Sequence, residues 1–237
     1  MDNETHLLIV MKTIFHHSLI VFILFLPVTK LIAQSPALKA GIGISSIRGE
    51  LVDDNPFEDK YGTDFSAGLI LPMSNERWAF TTEAIYTSQN AEHDFVNNPK
   101  ILLKKQPESE LFQTYTQQAF LGVGLRFYLT STINRYNPYQ GQLLPYLGFS
   151  IGGLYTSVNL TGTETVPEAY GIRAQKGFEV TAQLEGGFGY VLNRRVTLEF
   201  FGALRPGFSD YWDGIKGVTE TNDWLARAGV GIQYRLK

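Results

Sequence analysis

The sequence predicts an all-β protein: an eight-stranded antiparallel up-and-down transmembrane β-barrel, preceded by a signal peptide. Three observations predict it. The segment 224–236 alternates strictly. Trp224, Ala226, Ala228, Val230, Ile232, Tyr234 and Leu236 fall on one face, and Leu225, Arg227, Gly229, Gly231, Gln233 and Arg235 on the other. A strand turns successive side chains to opposite faces, so this one has a greasy side and a polar or bare side. The pattern recurs along the chain, and an export-type leader precedes it.

The leader comes first. Met11-Lys12 opens a short basic region, Ile14 to Leu26 is mostly apolar, Pro27 breaks the run, and Ala33 offers a small residue before Gln34. That is the layout of a cleaved secretory signal. The run falls short of the roughly 20 apolar residues that a spanning helix needs. Residues 1–10 carry Asp2 and Glu4 where a signal wants base, so translation is expected to start at Met11. The domain division is therefore 1–33, extension and signal, and 34–237, barrel. The chain has no Cys, which excludes a lipid-anchored Cys and a disulfide scaffold.

Removing Lys12, Lys30, Asp2 and Glu4 from 20 basic and 23 acidic residues leaves 18 and 21, a net charge of −3. That balance offers no basic patch for nucleic acid. Mean hydropathy is −0.07. A helical membrane protein would be far more apolar, whereas a membrane barrel turns half of each strand to a polar interior.

Eight segments follow: 38–48, 64–73, 78–88, 113–129, 143–157, 177–192, 195–205 and 223–236. The expected outward sets include Leu38, Ala40, Ile42 and Ile44 in the first and Leu121, Val123, Leu125 and Phe127 in the fourth. Phe178, Val180, Ala182 and Leu184 make up such a set in the sixth. Most segments have the roughly 9–11 residues of a tilted spanning strand. The connections 49–63, 89–112, 158–176 and 206–222 are long, 74–77 and 193–194 are tight, and 130–142 is intermediate. Short periplasmic turns alternating with longer outside loops would produce this order. Trp78, Phe127, Tyr128, Tyr146, Tyr190 and Tyr234 are expected in a periplasmic aromatic girdle, and Tyr86, Tyr115, Tyr155, Phe178 and Trp224 in an outer one. A soluble lipocalin-like barrel also has eight strands, but with its apolar face inside.

The inward face carries Glu83, Arg126, Glu179, Glu185, Glu199, Arg205, Arg227 and Arg235. Unpaired buried charge is costly, so these are expected to pair as a polar plug, with Glu83, Arg126, Glu185, Glu199, Arg227 and Arg235 at its centre. Arg227 and Arg235 are the expected partners of Glu185 and Glu199. The first outside loop is acidic around Asp53, Asp54 and Asp59, with Asp64 at its end, and the fourth carries Tyr211 and Trp212; these are the candidate binding residues. The acidic spacing matches no EF-hand, and no metal or cofactor is expected. A lipid-modifying enzyme would need a nucleophile beside a base; after the signal the one remaining His is His93, in the second outside loop near Ser88.

Several stretches resemble the small outer-membrane barrels of the PorT-like family. They are 64–73 (DFSAGLILPM), 77–88 (RWAFTTEAIYTS), 144–153 (LPYLGFSIGG), 186–190 (GGFGY) and 229–236 (GVGIQYRL). The stretch 208–213 (FSDYWD) is similar to a loop of outer-membrane barrels tied to a protein-secretion machine. The resemblance implies a barrel fold and transfers no catalytic residue. The expected function is a non-enzymatic scaffold displaying four loops. A part of a secretion assembly and a lipid-modifying enzyme are the alternatives. Outer-membrane lipid and other envelope proteins are the expected partners, and the barrel is expected to be monomeric.

Overall fold

Runs that alternate aliphatic or aromatic residues with small or polar ones suit a pleated wall with two unlike faces. In the computed structural model they form one. It describes residues 35–48, 61–73, 77–94, 111–130, 140–161, 175–207 and 223–236. Eight strands follow in order: β1 (Ala37–Arg48), β2 (Gly62–Pro72), β3 (Trp78–Asp94), β4 (Leu111–Tyr128), β5 (Leu143–Thr161), β6 (Gln175–Val191), β7 (Val196–Pro206) and β8 (Trp224–Arg235). Each pairs antiparallel with its neighbours in sequence, and β1 pairs with β8, so the barrel is closed.

The register sets the tilt. Following paired residues round the wall, Ala37 leads to Ile70, Thr81, Gly124, Ser150 and Gln183. Continuing the β6–β7 register by one residue leads to Arg205, then Leu225 and Ile47. The path returns to β1 ten residues from its start, at 47 instead of 37. A stagger of this size goes with strands inclined at roughly 35–45°.

The turns at the end where the chain enters β1 are tight for local reasons. In the β6–β7 link Asn193 Oδ1 accepts the N–H groups of Arg195 (2.8 Å) and Val196 (2.9 Å), a side chain closing the turn in place of backbone. Before β5, Gly141 has φ of +83°, a conformation that costs a side-chain-bearing residue energy.

The barrel is inside-out. Among the described residues 24 polar or charged residues are buried against 15 apolar ones, while 28 large apolar or aromatic residues are exposed. This overturns the soluble-barrel alternative, which needs the reverse. Leu121, Leu147, Phe178, Val180 and Leu184 are among the most exposed, and all face outward. Trp78, Tyr190 and Tyr234 are exposed near one rim, and Tyr86, Tyr155, Phe178 and Trp224 near the other. Two residues expected in the lower girdle are not there. Tyr128 and Tyr146 are buried, because they share the inward parity of Arg126 and Leu144 on their own strands.

The strands are unequal. β3 to β6 have 17, 18, 19 and 17 residues, whereas β1, β2, β7 and β8 have 12, 11, 11 and 12. The β3–β4 ladder runs on to Asp94 opposite Leu111, well past the expected end at 88. His93 is therefore a strand residue opposite Phe112 and not part of a loop.

Candidate functional site

The interior has three layers. Near the end where the chain enters β1, Ala37, Ile70, Ala79, Tyr128, Leu144, Tyr146, Val191 and Phe201 form an apolar floor. Toward the opposite end Ile47, Ile85, Phe120, Leu154 and Leu225 form a second apolar layer. Charged and amide side chains lie between. This order follows from the strands: each sends every second residue inward, so successive inward positions of one strand fall at successive levels of the interior.

The lower part of the charged belt is built on two cations. Lys39 Nζ lies 3.1 Å from Glu83 Oε1, 3.2 Å from Glu185 Oε1 and 3.4 Å from Glu199 Oε1. Arg126 Nη2 lies 2.7 Å from Glu185 Oε1 and 2.9 Å from Glu199 Oε1. The Tyr146 hydroxyl donates to Glu185 (3.0 Å) and also contacts Glu199. Its ring supports the Arg126 guanidinium from 3.8 Å. Gln233 Nε2 donates to Glu199 Oε2 at 2.6 Å, and Gln183 Nε2 to Glu83 Oε2 at 3.2 Å. Glu199 is fully buried and bonded on both oxygens, as a buried carboxylate must be.

The upper part is built on Arg227 and Arg205. Arg227 Nη2 donates to Asp64 Oδ1 at 2.8 Å, and Thr87 donates to Asp64 Oδ2 at 3.3 Å. Arg227 Nη1 is 4.0 Å from Glu83. Arg205 Nη2 donates to Gln183 Oε1 at 2.8 Å, and its guanidinium lies 4.3 Å from the Phe120 ring centre. Phe201 ties the levels together, with Lys39 5.1 Å and Arg227 4.9 Å from its ring centre. Gly229 makes room for that ring: a Cβ there would sit 2.8 Å from Phe201 Cζ.

Of the six residues read as the centre of the plug, Glu83, Arg126, Glu185, Glu199 and Arg227 meet in this belt. Arg235 is half-buried four residues along β8 from Gly231, the register partner of Glu199, about 13 Å at strand rise. The expected pairing of Glu185 and Glu199 with Arg227 and Arg235 is replaced by pairing with Arg126 and Lys39. Arg227 serves Asp64 instead. Asp64, expected at the end of an acidic loop, is a buried strand residue. Sequence reasoning overlooked Lys39, Asp64 and Tyr146, although each stands at an inward position of its strand.

Asp53, Asp54, Asp59, Tyr211 and Trp212 lie outside the described residues. Ser88 and His93 are five positions apart on the continuous strand β3, about 16 Å between Cα atoms. The Ser88 Oγ is bonded to Thr63 Oγ1 at 2.9 Å. That spacing removes the nucleophile–base pair an enzyme reading rested on. Among the described residues no group of three or more Asp, Glu, His or Cys is placed to hold a metal ion.

No family model matches the chain, and no curated protein matches it. Solved structures do. Neisserial surface protein A has 15% identity, a TM-score of 0.48, and coverage of 85% of this chain and 97% of its own. Ail of Yersinia pestis, in complex with the heparin analogue sucrose octasulfate, has 10% identity, a TM-score of 0.42, and coverage of 85% and 99%. The outer membrane enzyme PagL has 10% identity, a TM-score of 0.36, and coverage of 84% and 99%. The chain is similar to these small outer-membrane barrels in fold.

Proposed function

We propose that this is an outer-membrane β-barrel protein that works without catalysis, as a scaffold presenting its outside loops to partners. The observation that carries the reading is the paired interior. Among the described residues it buries four cations (Lys39, Arg126, Arg205, Arg227) and five anions (Asp64, Glu83, Glu185, Glu199, Asp223), with an apolar layer toward either end. Such an interior stabilises a wall and leaves recognition to what the wall supports. The apolar exterior and the export-type leader favour the outer membrane. The candidate recognition residues are Asp53, Asp54 and Asp59 in the first loop and Tyr211 and Trp212 in the fourth. The PorT-like resemblance, with the 208–213 stretch, favours one kind of partner: components of a secretion or envelope assembly.

Cross-linking on whole cells tests this. Trp212→Ala is expected to reduce partner capture more than any single acidic change, because aromatic anchors tend to dominate binding energy. The reading fails if neither Trp212→Ala nor a first-loop charge swap alters capture while His93→Ala abolishes a lipid modification.

A further inference from the structure

Among the described residues, the β6–β7 seam loses its backbone ladder two residues short of the end of β7. The β6–β7 ladder stops at Leu184 opposite Leu204, while β6 runs on to Gln175 beside β5. The alternation of hydrogen bonds explains why. On β6, Val191 exchanges bonds with Gly141 and Gln142, on the β5 side, and Leu192 donates to Val196 of β7. The backbone groups of even-numbered residues of β6 therefore face β7, and those of even-numbered residues of β7 face β6. Continuing the register sets Ala182 opposite Pro206. Proline has no N–H, so the bond that would reach the Ala182 carbonyl does not exist. Thr181 Oγ1 fills in, 2.6 Å from the Pro206 carbonyl oxygen and 3.4 Å from that of Ala182. The next stitch is Arg205 to Gln183, side chain to side chain.

This seam lies at the level of the outer aromatics, since Pro206 pairs with Trp224. Its lips are apolar: Val180, Leu184 and Leu204 are 58%, 59% and 51% exposed. Behind it the chemistry changes abruptly. Arg205 and Arg227 are diagonal neighbours on β7 and β8, 1% and 3% exposed. Nε and Nη1 of both are buried without a hydrogen-bond partner. Asp64 hydrogen-bonds Arg227, and Glu83, Asp64 and Glu179 are the carboxylates within electrostatic reach of Arg205. Buried N–H donors without acceptors cost free energy, and a guanidinium is shaped to take an oxyanion on two donors.

We infer that the β6–β7 seam is a lateral entry from the outer leaflet for a single-chain anionic amphiphile, whose oxyanion head displaces Gln183 from Arg205. Its tail stays in the leaflet along Val180, Leu184 and Leu204, so no internal cavity is required. The inference goes beyond the loop-display reading and needs only that the barrel sits in a bilayer.

The test uses the full chain in nanodiscs of uncharged phosphatidylcholine, titrated with carboxyl-labelled palmitate. Competitors are hexadecanol (tail without charge) and acetate or inorganic phosphate (charge without tail). Saturable palmitate binding that none of them displaces is expected. Arg205→Gln should weaken it about ten- to a hundred-fold, the size of a lost charge-assisted hydrogen bond. Because the chain has no Cys, Thr181→Cys with Gly207→Cys gives a clean reversible staple. Continuing the register sets these two opposite each other in a non-hydrogen-bonded pair, about 4.5 Å between Cα atoms and within a disulfide's reach. Oxidation should abolish binding and reduction restore it in the same folded molecules, which decides the matter even if Arg205→Gln does not fold. Absent saturable binding, equal binding by the stapled and reduced forms, or displacement by hexadecanol would each overturn the lateral-entry site. Displacement by phosphate would overturn it in favour of a site for soluble anions. Failure here leaves partner capture by Trp212 untouched, so the two readings fail separately.

Discussion

At the scale of single residues, the barrel lives by parity. Glu199 holds Arg126, Lys39, Tyr146 and Gln233 on two oxygens with no exposed surface. Removing one partner strands the others in a dry interior. Arg126→Met and Glu199→Gln should each cost about 3–5 kcal/mol. The double variant should cost less than their sum, because the second change removes what the first left unpaired. Equilibrium folding into lipid vesicles would measure the cycle; additive costs would remove the pair from the account. On the opposite face Val230 is 41% exposed, between Ile42 and Phe200 in register. Val230→Arg should cost roughly 2–4 kcal/mol if the site is at the bilayer midplane. The same folding assay checks it, and an unchanged stability would reverse the face assignment.

At the scale of elements, turn chemistry and strand length do different work. Asn193 closes the β6–β7 turn with two side-chain bonds to backbone. Asn193→Ala should destabilise the barrel by about 1–2 kcal/mol, at roughly 0.5–1.5 per bond lost. Urea unfolding would report it as a lower midpoint at constant slope. Strand existence was legible in the sequence, since eight alternating runs between turn signals became eight strands. Strand ends were not. β3 continues through Gln89, Asn90 and Ala91 and β4 begins near Leu111, where the composition reads as loop; pairing of one polar ribbon with the other extends the hairpin beyond any apolar signal. Within strands, parity was the stronger guide wherever a second rule competed with it. Tyr146 and Tyr128 look like girdle residues by type and position, yet their place beside Arg126 and Leu144 sends them inward. Lys39 lay in plain view between Leu38 and Ala40. Which cation meets which carboxylate was beyond the sequence, because it depends on the ten-residue stagger that brings β1, β4, β6 and β7 to one level.

At the scale of the whole molecule, an apolar exterior surrounds an interior filled by two apolar layers and a belt of charge. An eight-stranded barrel is narrow enough for side chains to fill. Reconstituted into planar bilayers, the protein should pass no stepwise current, and regular conductance steps would contradict the filled interior. The central claim is that this wall alternates between lipid and a packed polar interior. The most direct measurement is a nitroxide scan of β8, one introduced Cys at a time from 224 to 235, in bilayers. Collision rates with oxygen should peak at 226, 228, 230, 232 and 234 and fall at 225, 227, 229, 231 and 233. A flat profile, or one with peaks at the odd positions, would contradict it.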